Sequence, residues 1–373
     1  MTLIEPYVQK NGKTLRRGYT TGTCAAAAAK AATKMLYTEE DVDKVEVMLP
    51  TGDEIRLSIV DRKIGADKAS CCVIKDAGDD PDVTNGAKIC AIARKVTYGV
   101  TIKGGKGVGT VTKNGLEVAV GEAAINPVPM KMIRDEVSRT LPKGRGVEIE
   151  IKVLDGEKLA KRTLNKKLGI VGGISIIGTT GIVEPRSLDA FKRSLSPQID
   201  IALAAGFDDL VLVPGRISER NAIAADVPED AIIQMGNFVG FILKECARKG
   251  VKRALLYGRS GKLVKVSAGI FDTHSKTADA RLETIAAHAA SLGAGKETVK
   301  GILNANTTEE ARGILKMEGL LRVFDIIAER ASTRAMEYTN NKLDVATIIT
   351  SRGGEIIGRD GNCRRSRWAE SLL

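Results

Sequence analysis

The sequence predicts two domains: an α+β domain over residues 1–165, then a Rossmann-like α/β domain over residues 166–373 with a mostly parallel sheet. Three observations predict it. At 373 residues the chain is longer than one hydrophobic core usually serves. Its first part reads as short strands and turns with few helices. Past Asn165 the rhythm changes to strands alternating with longer helices, the pattern of a parallel sheet.

A helix beginning near Thr23 opens the first domain. Its alanines, Ala25 to Ala29 with Ala31 and Ala32, are strong helix formers suited to packing against a neighbouring helix. Strands follow at Val45 to Leu49, Ile55 to Val60 and Cys71 to Lys75, the first two joined by the turn Thr51 to Glu54. A long polar loop leads to Ala87 to Val96, Thr101 to Lys103 and the glycine-rich turn Gly104 to Gly109. A helix after Pro127 and Pro129 and the strand Val147 to Val153 complete the domain.

In the second domain, strands are expected at Ile174 to Ile177, Leu210 to Val213, Ala231 to Gln234 and Arg253 to Tyr257, each followed by a helix. Their ends are Gly178-Thr179-Thr180-Gly181, Pro214-Gly215-Arg216, Met235-Gly236-Asn237 and Gly258-Arg259-Ser260-Gly261-Lys262. In open α/β sheets ligands bind outside the carboxyl ends of the strands, which makes these loops the expected crevice. Thr277 to Thr339 reads as mostly helical. Ala346 to Thr350 with Glu355 to Gly358 reads as a strand pair whose home domain the pattern leaves open.

Lys and Arg number 57 against 46 Asp and Glu, a formal net charge of +11 spread almost evenly over both halves. Such a balance attracts anions. Aromatic residues make up 3%, too few to stack on single-stranded bases, and no nucleic-acid motif is present, so a small polyanion is the expected partner. The N-terminal Met-Thr-Leu-Ile-Glu-Pro lacks a basic region followed by an apolar stretch, and the longest apolar run, Gly169 to Val183, is too short to span a bilayer. A cytoplasmic protein, neither secreted nor anchored, is expected. The six cysteines include no C-x-x-C pair, so reduced thiols are expected, and with only His274 and His288 no protein-held metal is.

Arg16 to Cys24 places two cations, a tyrosine and three threonines directly before the first helix. Free helix N–H groups, the hydroxyls and the positive end of the dipole favour a carboxylate or phosphate there. The plainer reading is a cap by Thr21 or Thr23, although a cap needs one hydroxyl rather than three. Cys24 has no histidine nearby in sequence to act as its base and reads as a small buried residue.

Asp76 to Gly86 packs four carboxylates into one loop without the ligand spacing of an EF-hand. A solvated turn and an acid cluster with one raised pKa, suited to proton abstraction, stand as equal readings. Gly178 to Gly181 resembles a nucleotide-binding turn but is not G-x-G-x-x-G, and the strand Leu210 to Val213 ends without an acid to hold a ribose. His274, in the turn Thr273-His274-Ser275, is either a general acid or base or a cap for a helix near Thr277. His288, among alanines, reads as structural.

Four long motifs stand in order: Gly18-Tyr-Thr-Thr-Gly-Thr-Cys-Ala-Ala-Ala, Asp76-Ala-Gly-Asp-Asp-Pro-Asp-Val-Thr, Leu168-Gly-Ile-Val-Gly-Gly-Ile-Ser-Ile-Ile-Gly-Thr-Thr-Gly-Ile-Val and Gly269-Ile-Phe-Asp-Thr-His-Ser-Lys-Thr-Ala-Asp-Ala-Arg. Together, from about Arg16 to Glu283, they resemble the CbiD family. The resemblance implies an S-adenosylmethionine-dependent C-methyltransferase of anaerobic cobalamin biosynthesis, acting on ring carbon 1 of cobalt-precorrin-5B to give cobalt-precorrin-6A. It also implies that cobalt arrives only inside the corrin macrocycle, whose carboxylates suit a basic protein.

On this reading Arg17, Thr20, Thr21 and Thr23 contact the substrate. The methyl donor S-adenosylmethionine lies at Gly178, Thr179, Thr180, Gly181, Gly215, Gly236 and Asn237, and Asp79, Asp80 and His274 handle protons. The partner is a small-molecule corrinoid, with no nucleic acid and no membrane, and a homo-oligomer is left open. Arg259 and Arg216 depart from the family pattern, which commonly has histidine and asparagine there. The competing classes are a dinucleotide-dependent oxidoreductase and a non-catalytic anion- or RNA-binding protein.

Overall fold

The computed structural model describes residues 5–10 and 12–372; Met1 to Ile4, part of the segment read above for a leader, lie outside the described residues. The chain divides into two compact units, Met1–Leu188 and Asp189–Leu373. The boundary expected at residue 165 is displaced because of strand pairing. Gly173–Ile174, expected to open a parallel sheet, pairs with Gly107–Val108, and Ile182–Val183 pairs antiparallel with Gly18–Tyr19. Both pairings lie inside the first unit.

In the first unit, helix α1 (Thr21–Thr38) is surrounded by protein, with Cys24 to Ala29, Ala31 and Ala32 all fully buried. One side meets helix α2 (Pro127–Thr140) and another the strands Lys68–Ile74 and Lys88–Val96. Alanine is the residue that permits this: it favours the helix and lets two layers approach at once, leaving no room for a larger side chain. The sheet beneath has strand order Val60–Ile64, Lys68–Ile74, Lys88–Val96, Gly146–Val153 and Gly99–Gly104, antiparallel except for the last pair. Along Gly146–Val153 the alternating Val147, Ile149, Ile151 and Val153 enter the core shared with α1.

Cys72 and Cys90 are direct partners in the antiparallel register and form a disulfide, their Cα atoms 3.9 Å apart. The expectation of six reduced thiols is corrected accordingly. Residues facing each other across two strands bring their Cβ atoms within bonding reach, a proximity that sequence spacing does not encode. Cys71, pointing to the other face, donates its thiol to Ala28 O at 3.2 Å. Cys24, Cys71, Cys246 and Cys363 are free and buried.

The second unit holds a five-stranded sheet ordered Ile232–Gln234, Asp209–Val213, Arg253–Arg259, Asp344–Thr350 and Ile356–Arg359, parallel except for the final antiparallel pair. The strand pair without an assigned home therefore belongs here. Asp209–Val213 is buried at every residue, as a parallel strand covered on both faces requires. Helices Arg216–Ala224, Val239–Arg248 and Ser260–Ser267 follow their strands, and four more run between Arg281 and Tyr338. The helix expected near Thr277 starts at Arg281. Trp368 fastens the C-terminal segment by donating Nε1–H to Asp209 O at 2.9 Å. Among the described residues no helix is long and apolar enough to cross a membrane.

Candidate functional site

In the first unit, Thr20 has extended backbone (φ −79°, ψ 165°) and caps α1, its Oγ1 accepting from Thr23 N at 3.2 Å. The helix therefore starts at Thr21, two residues early. Thr21 Oγ1 accepts from Ile177 N at 2.9 Å and lies 3.2 Å from Ile177 O as donor, and Thr23 Oγ1 donates to Gly181 O at 2.7 Å. The backbone of Gly22 donates to Ile177 O at 3.0 Å and that of Thr20 to Gly181 O at 3.1 Å. The helix end that the sequence offered to an anion thus receives two of the chain's own carbonyls. Thr20, Thr21 and Thr23 are 8%, 4% and 0% exposed, so the expectation of three substrate-binding hydroxyls is corrected to a buried clasp.

The same contacts reassign the loop Gly178 to Gly181. A Cβ on Gly178 would stand 2.2 Å from Thr20 Oγ1, and one on Gly181 2.7 Å from Leu49 Cδ2. Glycine here lets the loop close on α1 rather than on a ligand. Thr180 Oγ1 bonds within its own turn, accepting from Ile182 N at 3.3 Å, and Thr179 and Thr180 are exposed. Gly178 to Gly181 belongs to the first unit and Gly215, Gly236 and Asn237 to the second.

The acidic loop divides too. Asp76 takes both ends of the Arg16 guanidinium, at 2.6 and 2.7 Å, and Asp79 Oδ2 accepts from Arg16 N at 2.6 Å. Asp80 Oδ1 accepts from Arg186 N at 2.7 Å, and Asp82 binds the Lys75 amine at 2.6 Å and the Thr84 hydroxyl at 2.7 Å. Hydrogen bonding from Arg16 holds the Asp76 carboxyl below its ordinary range. Burial lifts Asp82, but the charge and hydrogen bond of Lys75, with Thr84, outweigh it and leave Asp82 lowered. Each of these acids thus has its own donor, and Asp76 and Asp82 are both lowered rather than raised.

Arg16, whose role the sequence pattern did not isolate from Arg17, organises this region; Arg17 Nη1 donates to Glu5 O at 2.7 Å. The available signal was a cation two residues before a glycine that must pack on the loop. Cys24 is fully buried, which pushes its thiol up to about 12, in keeping with a small core residue.

At the strand ends of the second unit, a Cβ on Gly215 or Gly236 would meet nothing, so the backbone there is open. Asn237 O accepts from Thr273 N at 2.9 Å, tying that loop to the turn holding His274. His274 Nδ1 accepts from Lys276 N at 3.1 Å. That bond engages Nδ1 and leaves Nε2 as the ring nitrogen available to a partner. His274 and the pair Asp79 and Asp80 lie in different units.

Lys262, at the end of one loop of the expected crevice though given no role there, and Lys265, which the sequence did not single out, stand beside this turn. Lys262 Nζ donates to Gly236 O at 3.2 Å, and Lys265 Nζ to Ala278 O at 2.8 Å and Thr273 O at 3.3 Å. Their signal was two cations interrupting the apolar run Leu263, Val264, Val266. Elsewhere a cavity of about 480 Å³ is lined in part by Glu117 and Glu122, the wrong charge for a polycarboxylate. Among the described residues no His, Cys, Asp or Glu side chains are grouped three together in a way that could hold a metal ion.

The family model described as CbiD matches residues 8–185, and the model for the CbiD C-terminal domain matches residues 272–361. The chain is 51% identical over 353 residues to a cobalt-precorrin-5B C(1)-methyltransferase of Moorella thermoacetica, covering 94% of this chain and 96% of that one. A protein of the same name from Thermoanaerobacter sp. is 47% identical, with 96% of this chain and 99% of that one covered. A solved structure of a cobalamin biosynthesis protein (cbiD) from Archaeoglobus fulgidus is 33% identical, covers 74% of this chain and 88% of that one, and gives a TM-score of 0.40. Matched by family models in both units and by relatives along nearly its whole length, the chain belongs to the CbiD family.

Proposed function

We propose that this chain is a cytoplasmic methyltransferase that converts cobalt-precorrin-5B to cobalt-precorrin-6A by methylating ring carbon 1, with S-adenosylmethionine as donor. The observation that carries the reading is 51% identity, over 94% of the chain, to a relative bearing that activity in its name. When bound, S-adenosylmethionine supplies a methyl group from its sulfonium by in-line displacement.

The chain's own part is alignment, which alone lowers the barrier by several kcal/mol, roughly 7–11 in well-oriented cases. The open backbone at Gly215 and Gly236, beside the half-buried Asn237, supports a donor site at the strand ends of a Rossmann-like second unit. His274, with Nδ1 engaged by Lys276 N, handles protons there through Nε2. In the first unit, Arg17 gives one of its five donors to Glu5 O and, with no other side-chain partner among the described residues, offers the rest to a carboxylate of the macrocycle. The formal charge of +11 supports attraction of that polyanion.

The test is incubation of the purified protein with cobalt-precorrin-5B and methyl-labelled S-adenosylmethionine, followed by mass spectrometry of the corrinoid. One added, labelled methyl group is expected. No mass gain with authentic substrate would overturn the reading.

A further inference from the structure

Lys265 is only 3% exposed, yet among the described residues its amine meets no carboxylate; its acceptors are the carbonyls of Thr273 and Ala278. Lys262 stands three residues earlier on the same helix, Ser260–Ser267, and its amine has one acceptor, Gly236 O. Asp272, the acid nearest in sequence, accepts from His274 N at 3.2 Å, and Asp279, whose carboxyl Arg281 and more weakly Lys265 hold low, is bound by Arg281 at 2.6 and 2.7 Å. Burial, reinforced by the neighbouring Lys265, holds the Lys262 amine below its ordinary value. An ammonium has three donors, so Lys265 retains one and Lys262 two.

Two like charges a turn apart repel, and burial raises the cost of each. An anion placed between them relieves both terms. The backbone of Gly236, whose carbonyl Lys262 binds, has open space beside it, and the positive end of the helix adds to the attraction. Arg259, just before the helix, adds a buried Nε without a hydrogen-bond partner.

We propose that Lys262 and Lys265 bind a carboxylate of a small ligand that enters at the Gly236-Asn237 turn. The choice of ligand rests on the methyl-transfer reading above: the group is either the methionyl carboxylate of the donor or a side-chain carboxylate of the macrocycle. Lys262 makes the contact with its two remaining donors, while Lys265 holds the Thr273 to Ala278 turn and contributes its third.

Calorimetry on the full chain, its Lys262→Met variant and its Lys262→Arg variant tests this with three probes: S-adenosylmethionine, 5′-methylthioadenosine, which lacks the carboxylate, and uroporphyrin III, a polycarboxylate macrocycle. Lys262→Met is expected to weaken one carboxylate probe by about tenfold or more, with methylthioadenosine unchanged and Lys262→Arg retaining most of the affinity. Loss on S-adenosylmethionine assigns the donor; loss on uroporphyrin assigns the macrocycle. Unchanged affinity for both probes overturns the proposal, as does a wild-type protein that binds neither. Should Lys262→Met fail to fold, acetylation of Lys262 in the wild-type chain decides, since bound probe must slow it and no protection refutes the site. The methyl-transfer reading falls separately, when Lys262-dependent binding persists but no label reaches the corrinoid.

Discussion

Arg16 grips Asp76 through both ends of its guanidinium, at 2.6 and 2.7 Å, while its backbone N–H binds Asp79 and its carbonyl accepts from the Asp79 N–H. One residue thereby docks a whole acidic loop. The approach is close enough that a Cβ on Gly18 would lie 2.1 Å from Ala77 C, and one on Gly78 2.2 Å from Arg16 O. Charge selects the loop's partner, and glycine on both sides permits the contact.

Arg16→Ala is therefore expected to destabilise the first unit by about 1 kcal/mol at neutral pH, since both partners are over a third exposed and solvent screens the pair. The sign of its pH dependence follows from Asp76, whose carboxyl the Arg16 hydrogen bond holds below its ordinary value in the folded chain. Below about pH 4 the unfolded chain binds the proton first, so the contribution shrinks as pH falls through the folded value. Urea titrations from pH 7 downward should show a full difference between wild type and variant at neutral pH that narrows as the pH falls below about 4.

Thr21→Val removes the hydroxyl that serves both Ile177 N and Ile177 O while keeping the side-chain volume. The Ile177 amide loses its bond, at a cost of about 1–3 kcal/mol where it is shielded from water. A lower melting temperature with unchanged ligand affinity in the folded fraction is expected. Weakened corrinoid binding at full stability would return the hydroxyl to the substrate.

Much of the architecture was legible: α1 was expected two residues from its true start, and the strands from 209 to 259 lie within a few residues of their expected places. The segment after Leu168 misled because its local pattern, a strand ending in Gly178 before a helix, is the same whether the strand enters a parallel sheet or packs on α1. Only the partner differs, Gly107–Val108 here, and partners are not written in periodicity. For the same reason three neighbouring threonines read as ligand donors, although Ile177 occupies Thr21, Gly181 occupies Thr23 and the helix cap occupies Thr20. Lys262 stood in an expected crevice loop without a role, and Lys265 escaped notice because a helical lysine is usually solvated and only packing shows this one buried.

The Cys72–Cys90 bond closes a separation of 18 residues across the pair Lys68–Ile74 and Lys88–Val96. A loop of that size restricts the unfolded chain enough to stabilise the fold by about 3 kcal/mol on the chain-entropy estimate. Alkylation under denaturing, non-reducing conditions should label four cysteines, and reduction should expose the remaining two and lower the melting temperature. Six labelled thiols before reduction would show that the pair is unbonded in solution.

Lys75 and Asp82 carry the largest expected loss. The lysine is 1% exposed, its amine 2.6 Å from a carboxylate that is itself only about a quarter exposed. Asp82→Asn leaves that ammonium in the interior with a neutral partner, a defect of about 3 kcal/mol. Pairing it with Lys75→Met removes the stranded charge, so the double variant should recover part of the loss even though it has one interaction fewer. Denaturant melts of the single and double variants measure this directly; additive losses would mean that the two charges do not depend on each other.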